Sequence, residues 1–349
     1  MAAIDISSPK SPPADEAILP LGGPQGDAAA QSSVQNAPGL KLDLAPSAAD
    51  ATWMQIVAVA GLACGALVVV IYWDTLQQLR AVWDKDPSYS HGYLVPVASL
   101  AFAVLAWQRG RPDFASALTA QGMPSGVAEI LLGLGLHAAS WLLTLLVLDV
   151  ISLICVVRGL LLLIGGPSVN QKFGFAALFL IFMAPLPPPV YQAAALTMQH
   201  FVSIVSTACL DLLGIAAYRQ GYFIHLADYS MEVGEACSGL RGMMLMLALS
   251  VALGELFQSR LMGRAVLLIL ALPMAIAANC LRVTLSGIIM VFLGRRWAEG
   301  VFHTLEGLAT TLIAAGALFV VALALARFEQ PNNAKSTGQD RSKQPGSGT

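Results

Sequence analysis

Charge is what this sequence has least of. Only 11% of its 349 residues are Asp, Glu, Lys or Arg, against roughly a quarter in soluble globular domains. With 56% hydrophobic residues and a mean hydropathy of +0.69, a polytopic membrane protein is expected. The net charge of −2 leaves no basic footprint, so nucleic acid is excluded as a partner. Cysteine is sparse, and Cys64, Cys155, Cys209, Cys237 and Cys280 are scattered without a CxxC pair. That spacing argues against a disulfide framework and against a zinc site, and neither metal nor cofactor is expected. GxSxG, HExxH and a close pair of aspartates are all missing, so a serine or metal intramembrane protease fits poorly. No internal repeat is evident, whereas many transporters carry one. The first fifty residues lack a basic stretch followed by an apolar core, so no cleavable signal peptide is read there.

What is present is long apolar runs between two polar ends. Residues 1–50 are rich in Pro, Ala, Ser and Gly and read as a disordered tail, as do 328–349. Between them, 51–327 reads as an all-α transmembrane helical bundle. A span needs about 20 apolar residues. The candidates are Met54–Trp73, Tyr93–Trp107, Val127–Leu143, Leu145–Ile164, Phe173–Pro189, Gly239–Phe257, Ala265–Leu285 and Thr304–Ala326. The run Val127–Ile164 is too long for one helix and is divided near Thr144. Eight spans put both termini on one side of the membrane.

The positive-inside rule makes that side cytoplasmic, with Arg109, Arg111, Lys172, Arg260, Arg264 and the basic C-terminal residues on it. The opposite side receives Asp74–Ser90, Tyr191–Ala236 and Gly294–Phe302, where Arg295 and Arg296 run against the rule. Tyr191–Leu213 is semi-apolar, and the sequence leaves open an interfacial helix or a ninth span. Tyr222–Val233 alternates loosely between Gly221 and Gly234, which predicts a short extracytoplasmic hairpin leading to Cys237.

Against this background three reactive side chains stand at the rims of spans. Cys237 lies in Glu235-Ala236-Cys237-Ser238-Gly239-Leu240-Arg241, where Ser238 and Gly239 suit a helix N-cap. A thiolate there is favoured by the helix dipole and by Arg241 one turn on. The bland alternative is a small buried thiol, which suits Cys64 and Cys155 in mid-span. A helix starting near Ala265 crosses about 30 Å by Leu285, which puts Arg282 within about one turn of the outer face, level with Cys237. Asn279 one turn earlier points to an inward polar cluster rather than a snorkelling arginine, and Arg241 competes for the same role. His303 opens the last span, with Glu306 three residues on as a partner for its ring. His91, in Tyr89-Ser90-His91-Gly92, is either part of a turn capped by Ser88 or Ser90 or a substrate-contacting residue. His137 reads as a packing histidine, and His200 and His225 belong to the exterior loop. A thiol, an imidazole and a guanidinium are the nucleophile, proton shuttle and oxyanion partner of a cysteine peptidase or transpeptidase.

The Glu-Ala-Cys-Ser-Gly-Leu-Arg run at 235–241, the Asn-x-x-Arg at 279–282, the His303 boundary and the Tyr-Ser-His-Gly box at 89–92 resemble the exosortase/archaeosortase family. The resemblance runs from the first span to the last and implies an integral membrane cysteine transpeptidase. In bacteria such an enzyme would sit in the cytoplasmic (inner) membrane with its active site facing outward. Its partners would be exported proteins ending in a Pro-Glu-Pro motif, an apolar helix and a basic tail, with a link to exopolysaccharide and biofilm systems. By position Cys237 would be the nucleophile and Arg282 and His303 its partners, supported by His91, Ser238, Arg241, Asn279 and Glu306. The substrate helix is expected to dock on Gly242, Ala248 and Gly254. Two other readings stay open. A transporter or flippase draws support from Pro185–Pro189 and Pro273, and in a non-catalytic assembly factor Cys237 would be incidental.

Overall fold

The computed structural model describes residues 48–110, 122–227, 229–234, 239–298 and 301–341, with some helix-end side chains, that of His303 among them, outside the description. The chain divides into two compact units, Met1–Ile56 and Val57–Thr349, and the second holds the bundle. The expected tail at 1–50 lies almost wholly outside the described residues.

Helix α1 (Ala48–Ile71) ends at Tyr72, where the chain bends by 63° into α2 (Trp73–Lys85). Hydropathy alone reads Asp74–Ser90 as a loop. Thr75, Leu79 and Trp83 recur at every fourth residue, however, and these are the buried positions of α2. The chain then makes a 3-10 turn (Pro87–Tyr93), opened by Asp86 accepting from the Ser88 amide at 2.8 Å. Helices α3 (Leu94–Gln108) and α4 (Gly122–Leu143) follow, and α4 breaks at Thr144, φ 53°, where the sequence divides.

Helix α5 (Leu146–Phe179) continues through a 3-10 turn, Leu180–Met183. By length and composition Leu146–Met183 passes as one span. A straight helix of that length would part its ends by about 55 Å. Yet Leu145–Val147 and Pro185–Pro188 line one cavity, and Val150 and Leu153 pack in one cluster with Phe179 and Met183. The chain therefore folds back at Gly166, whose φ of 68° and ψ of −169° break the helix ahead of Pro167. Two antiparallel spans result, as the sequence divides them.

Helix α6 (Pro188–Leu212) starts at that cavity and leads into a three-stranded antiparallel sheet, β1 (Ala217–Gln220), β2 (Phe223–Leu226) and β3 (Ser230–Glu232). The expected hairpin is β2–β3, and β1 adds a strand that the sequence pattern does not show. Helices α7 (Leu240–Phe257), α8 (Leu261–Leu293), α9 (Arg295–Ala298) and α10 (Val301–Arg341) complete the chain. Helix α10 runs past Phe328, where a polar tail is expected, to Arg341.

One end of the bundle is basic. Arg109, Lys172 and Glu255 line one small cavity there, Lys172 donates to the Gly110 carbonyl, and Arg264 pairs with Glu255 at 2.8 Å. Gly239, at the head of α7, is thus at the opposite end, with Thr144 and Pro187. Helix α8 climbs from the basic end, and α6 runs alongside in the same direction. Ser206 donates to the Cys280 carbonyl at 3.1 Å, and Leu210 packs on Gly287. Although Pro188–Leu212 is long and apolar enough to cross a membrane, it starts at the far rim and runs away from the basic end. It inverts nothing. Among the described residues, seven helices are long and apolar enough to cross a membrane, Pro188–Leu212 among them, or eight if the bent pair α1–α2 is one span, an all-α polytopic bundle.

The 33 residues of α8 span about 50 Å, some 20 Å more than a bilayer core. The surplus ends at Leu293, just before Arg295 and Arg296. It also corrects the expected helix end at Leu285. The projecting end is covered by the sheet and α6, where Val202, Leu210, Ile224, Val233, Val283 and Met290 form one apolar cluster. A separate cluster of Met246, Leu267, Ala275, Leu318 and Ala322 clamps α7, α8 and α10 together.

Candidate active site

Three backbone events in different helices bring the sequence motifs to one place. The first is at the head of α7. Gly239 has φ 81° and ψ −1°, and a Cβ on it would lie 2.6 Å from the Asn279 side chain. Both the left-handed conformation and the contact demand glycine. The chain leaving Cys237 is therefore seated against Asn279 two residues later. Cys237 and Ser238 themselves lie outside the described residues.

The second is on α8, where Asn279, Arg282 and Ser286 follow at three and four residues and share a face. The third is on α10, where a Cβ on Gly307 would lie 2.9 Å from Cζ of Arg282. The guanidinium lies flat on that glycine, one turn after His303 in the same helix. The backbone of His303 is in the first turn of α10, and its side chain is not described. Next to Gly307, the buried Glu306 accepts the Ser286 hydroxyl on both carboxylate oxygens, at 2.9 and 2.8 Å, and feels the charge of Arg282. The sequence suggests Glu306 as a partner for His303. In the structure its observed partner is Ser286.

Between these helices is a cavity of about 440 Å³. Gly239, Arg241, Asn279, Arg282 and Gly307 line its upper part, and Met246, Ala275 and Ala314 its floor. Among the described residues no carboxylate lines it. The two guanidiniums and the Asn279 amide offer donors of the kind that stabilise a developing oxyanion. Arg241 is exposed, Arg282 half-buried and Asn279 buried, so Arg282 and Asn279 are the better held of the three.

The remaining expectations fare differently. His91 is buried in the 3-10 turn beside the main chain of Ser88 and Phe182. Among the described residues its Nδ1 has no partner, and the ring does not line the cavity. Gly242 lines the cavity, but Ala248 is buried among Tyr89, Val95 and Phe179, and Gly254 packs on Arg264. Those two small residues serve contacts inside the bundle and are closed to a docking helix. Sequence reasoning missed the roles of Ser286 and Gly307. Ser286 was readable as the next residue on the Asn279–Arg282 face, whereas Gly307 offered no signal beyond its nearness to His303.

Neither the curated proteins nor the solved structures hold a match to this chain. The model of one family, transmembrane exosortase, matches residues 83–320. That stretch begins in α2, ends in the last crossing and contains every residue lining the cavity. The chain belongs to the transmembrane exosortase family and is a multi-pass membrane protein of the protein-sorting transpeptidase kind.

Proposed function

We propose that the chain is a cysteine transpeptidase or peptidase that removes the C-terminal sorting signal of exported proteins at the outer face of the bacterial cytoplasmic membrane. The observation that carries this reading is the donor-lined cavity on which Gly239, Asn279, Arg282 and Gly307 converge from three helices. Gly239, two residues after Cys237 in sequence, lines it, and the backbone of His303 is one turn before Gly307 in the same helix.

The chemistry is acyl transfer. The Cys237 thiolate attacks the scissile carbonyl carbon, and the resulting oxyanion is met by Arg282 and the Asn279 amide. Collapse forms a thioester and breaks the C–N bond, with His303 giving the leaving amine its proton. An incoming amine, or water, then loses a proton to His303 and attacks the thioester, freeing the thiolate. The substrate reading is a Pro-Glu-Pro motif before an apolar helix and a basic tail, with exopolysaccharide machinery as the associated system. The basic end carrying Arg109, Lys172 and Arg264 faces the cytoplasm by the positive-inside rule. On this reading the cavity is in the outer half of the membrane, beside the point where a substrate helix would emerge.

The test is co-expression with a reporter ending in that tripartite signal, comparing wild type with Cys237→Ala and His303→Ala. A shortened reporter made by the wild type alone supports the reading. Equal shortening by wild type and Cys237→Ala removes the cysteine mechanism and favours a non-catalytic or transport role. Absence of shortening by well-expressed wild type rules out this substrate class.

A further inference from the structure

A second polar cavity, of about 620 Å³, opens at the elbow between α1 and α2. It is lined from α2 by Asp74, Thr75, Gln77 and Gln78 and from α4 and α5 by His137, Trp141 and Asp149. His137 Nδ1 is 2.8 Å from one carboxylate oxygen of Asp149, and Thr75 donates to the other at 3.2 Å. Beneath them the Tyr72 ring packs at 4.8 Å on His137, with its hydroxyl bonded to Ser152, which in turn donates to the Gly133 carbonyl. Asp149 is thereby buried and doubly held on a polar network that continues into the bundle. A hydrogen on His137 Nδ1, given to the carboxylate, leaves Nε2 of the neutral ring as an acceptor. Among the described residues none is bonded to Nε2, and the ring lines the cavity.

A mere lock between α4 and α5 would require the His137–Asp149 bond but no open volume in front of it. Here α2 presents a further carboxylate and two amides to that volume. Among the described residues no lysine or arginine lines it. Two carboxylates, an imidazole acceptor and two amide oxygens, with no cation among them, form a site for a positively charged hydrogen-bond donor. Among the described residues no three His, Cys, Asp or Glu are placed to share a metal ion. Acceptors spread over a cavity of this size suit an organic cation with several N–H groups. Position narrows it further. Asp149 is in the first turn of α5, at the end of the bundle opposite Arg109, Lys172 and Arg264, and Trp73, Trp141 and Leu142 are exposed around it. Tryptophan with one apolar and one polar edge is typical of the membrane–water boundary.

The geometry points to a binding site for a primary ammonium group at the outer membrane surface, separate from the Arg282 cavity. The ammonium can come from a phospholipid headgroup or from a free amine in solution. Full-length protein in nanodiscs separates the two when phosphatidylethanolamine is compared with phosphatidylcholine, whose quaternary nitrogen has no N–H, and when ethanolamine is added as a competitor. Native mass spectrometry of the released protein reads the retained lipid. The expected result is at least a fivefold preference for phosphatidylethanolamine, reduced by ethanolamine and abolished by Asp74→Asn or His137→Gln. Asp74 is exposed, so its variant tests the site without threatening the fold. Ethanolamine binding without a lipid preference, sensitive to the same variants, supports the site with a soluble amine as its ligand. Retention and competition that are the same in wild type and both variants, or no amine binding at all, overturn the proposal.

Discussion

The cavity under Arg282 and the cavity before His137 lie at the same end of one bundle and are opposite in character. Among the described residues, the first is lined by two guanidiniums, an amide and small residues, without a carboxylate. The second is lined by two carboxylates, an imidazole and two amides, without a cation. Their frames differ as well. Arg282 reaches its place by lying on a glycine, so position there depends on an absent side chain. Asp149 is held by hydrogen bonds on both oxygens, so position there depends on side chains that are present. A cavity set by close packing should lose function when a methyl is added. One set by hydrogen bonds should lose it when a donor is removed.

The largest effect expected from breaking this contrast is at Arg282. Arg282→Ala should lower reporter processing by about 10²–10³-fold, the cost of removing one oxyanion donor. Arg282→Lys should recover only part of that, because an ammonium keeps the charge and loses the planar fork. Processing rates in membranes, normalised to enzyme level, provide the check. Full activity in Arg282→Ala would shift the oxyanion role to Arg241.

Next comes the methyl test. Gly307→Ala places a carbon 2.9 Å from Cζ of Arg282 and must push the guanidinium aside. The displaced group is the mobile end of a side chain, so stability should change little. Processing should fall about 10–100-fold, since a displacement near 1 Å costs that much in a preorganised site. The loss should appear in kcat more than in KM. Gly316→Ala, on the same helix with open space around it, is the control and should be silent.

The donor test is smaller and compares the frames directly. Ser286→Ala strips the buried Glu306 of the hydroxyl bound to both its oxygens, and about 1–3 kcal/mol of stability should go with it. Thr75→Ala should cost about 0.5–1.5 kcal/mol, because Asp149 keeps His137. Thermal unfolding in detergent should rank the two in that order, and the double variant should add, the sites having no shared partner. The reverse order would mean that the His137 network bears more of the fold than the Arg282 frame.

How much of this could be read in the sequence divides along the same line. The crossings were legible because a bilayer demands long apolar runs, and the division at Thr144 and the reversal between Ile164 and Phe173 follow from length alone. Arg282 and Asn279 were legible as polar residues late in an apolar run. Helix α2 was not, because a half-buried amphipathic helix has the mean hydropathy of a loop and only its spacing reveals it. Strand β1 was hidden in the same way, its four residues Ala217–Gln220 being too short to show a period. His137 read as a packing histidine because Asp149 lies across a helical hairpin, twelve residues on, where no local pattern links them. Gly307 could not be assigned, since what gives it a role is a guanidinium from another helix.

The smallest effect sharpens the placing of the second cavity. Arg80 and Asp84 sit one turn apart on the outer face of α2, 3.6 Å from each other and 68% and 56% exposed. In water such a pair contributes about 0.5 kcal/mol or less, so Arg80→Ala should barely move the unfolding temperature, and added salt should not matter. In hydrocarbon the same substitution would leave the Asp84 carboxylate with the Tyr93 hydroxyl alone and no counter-charge, and cost several times more. The measurement therefore reports the depth of α2. A loss below about 0.5 kcal/mol sets the helix at the aqueous boundary, where a headgroup ammonium or a dissolved amine can reach Asp74. A loss of several kcal/mol would submerge α2, open the elbow cavity to lipid tails instead, and remove the route by which a charged ligand enters it.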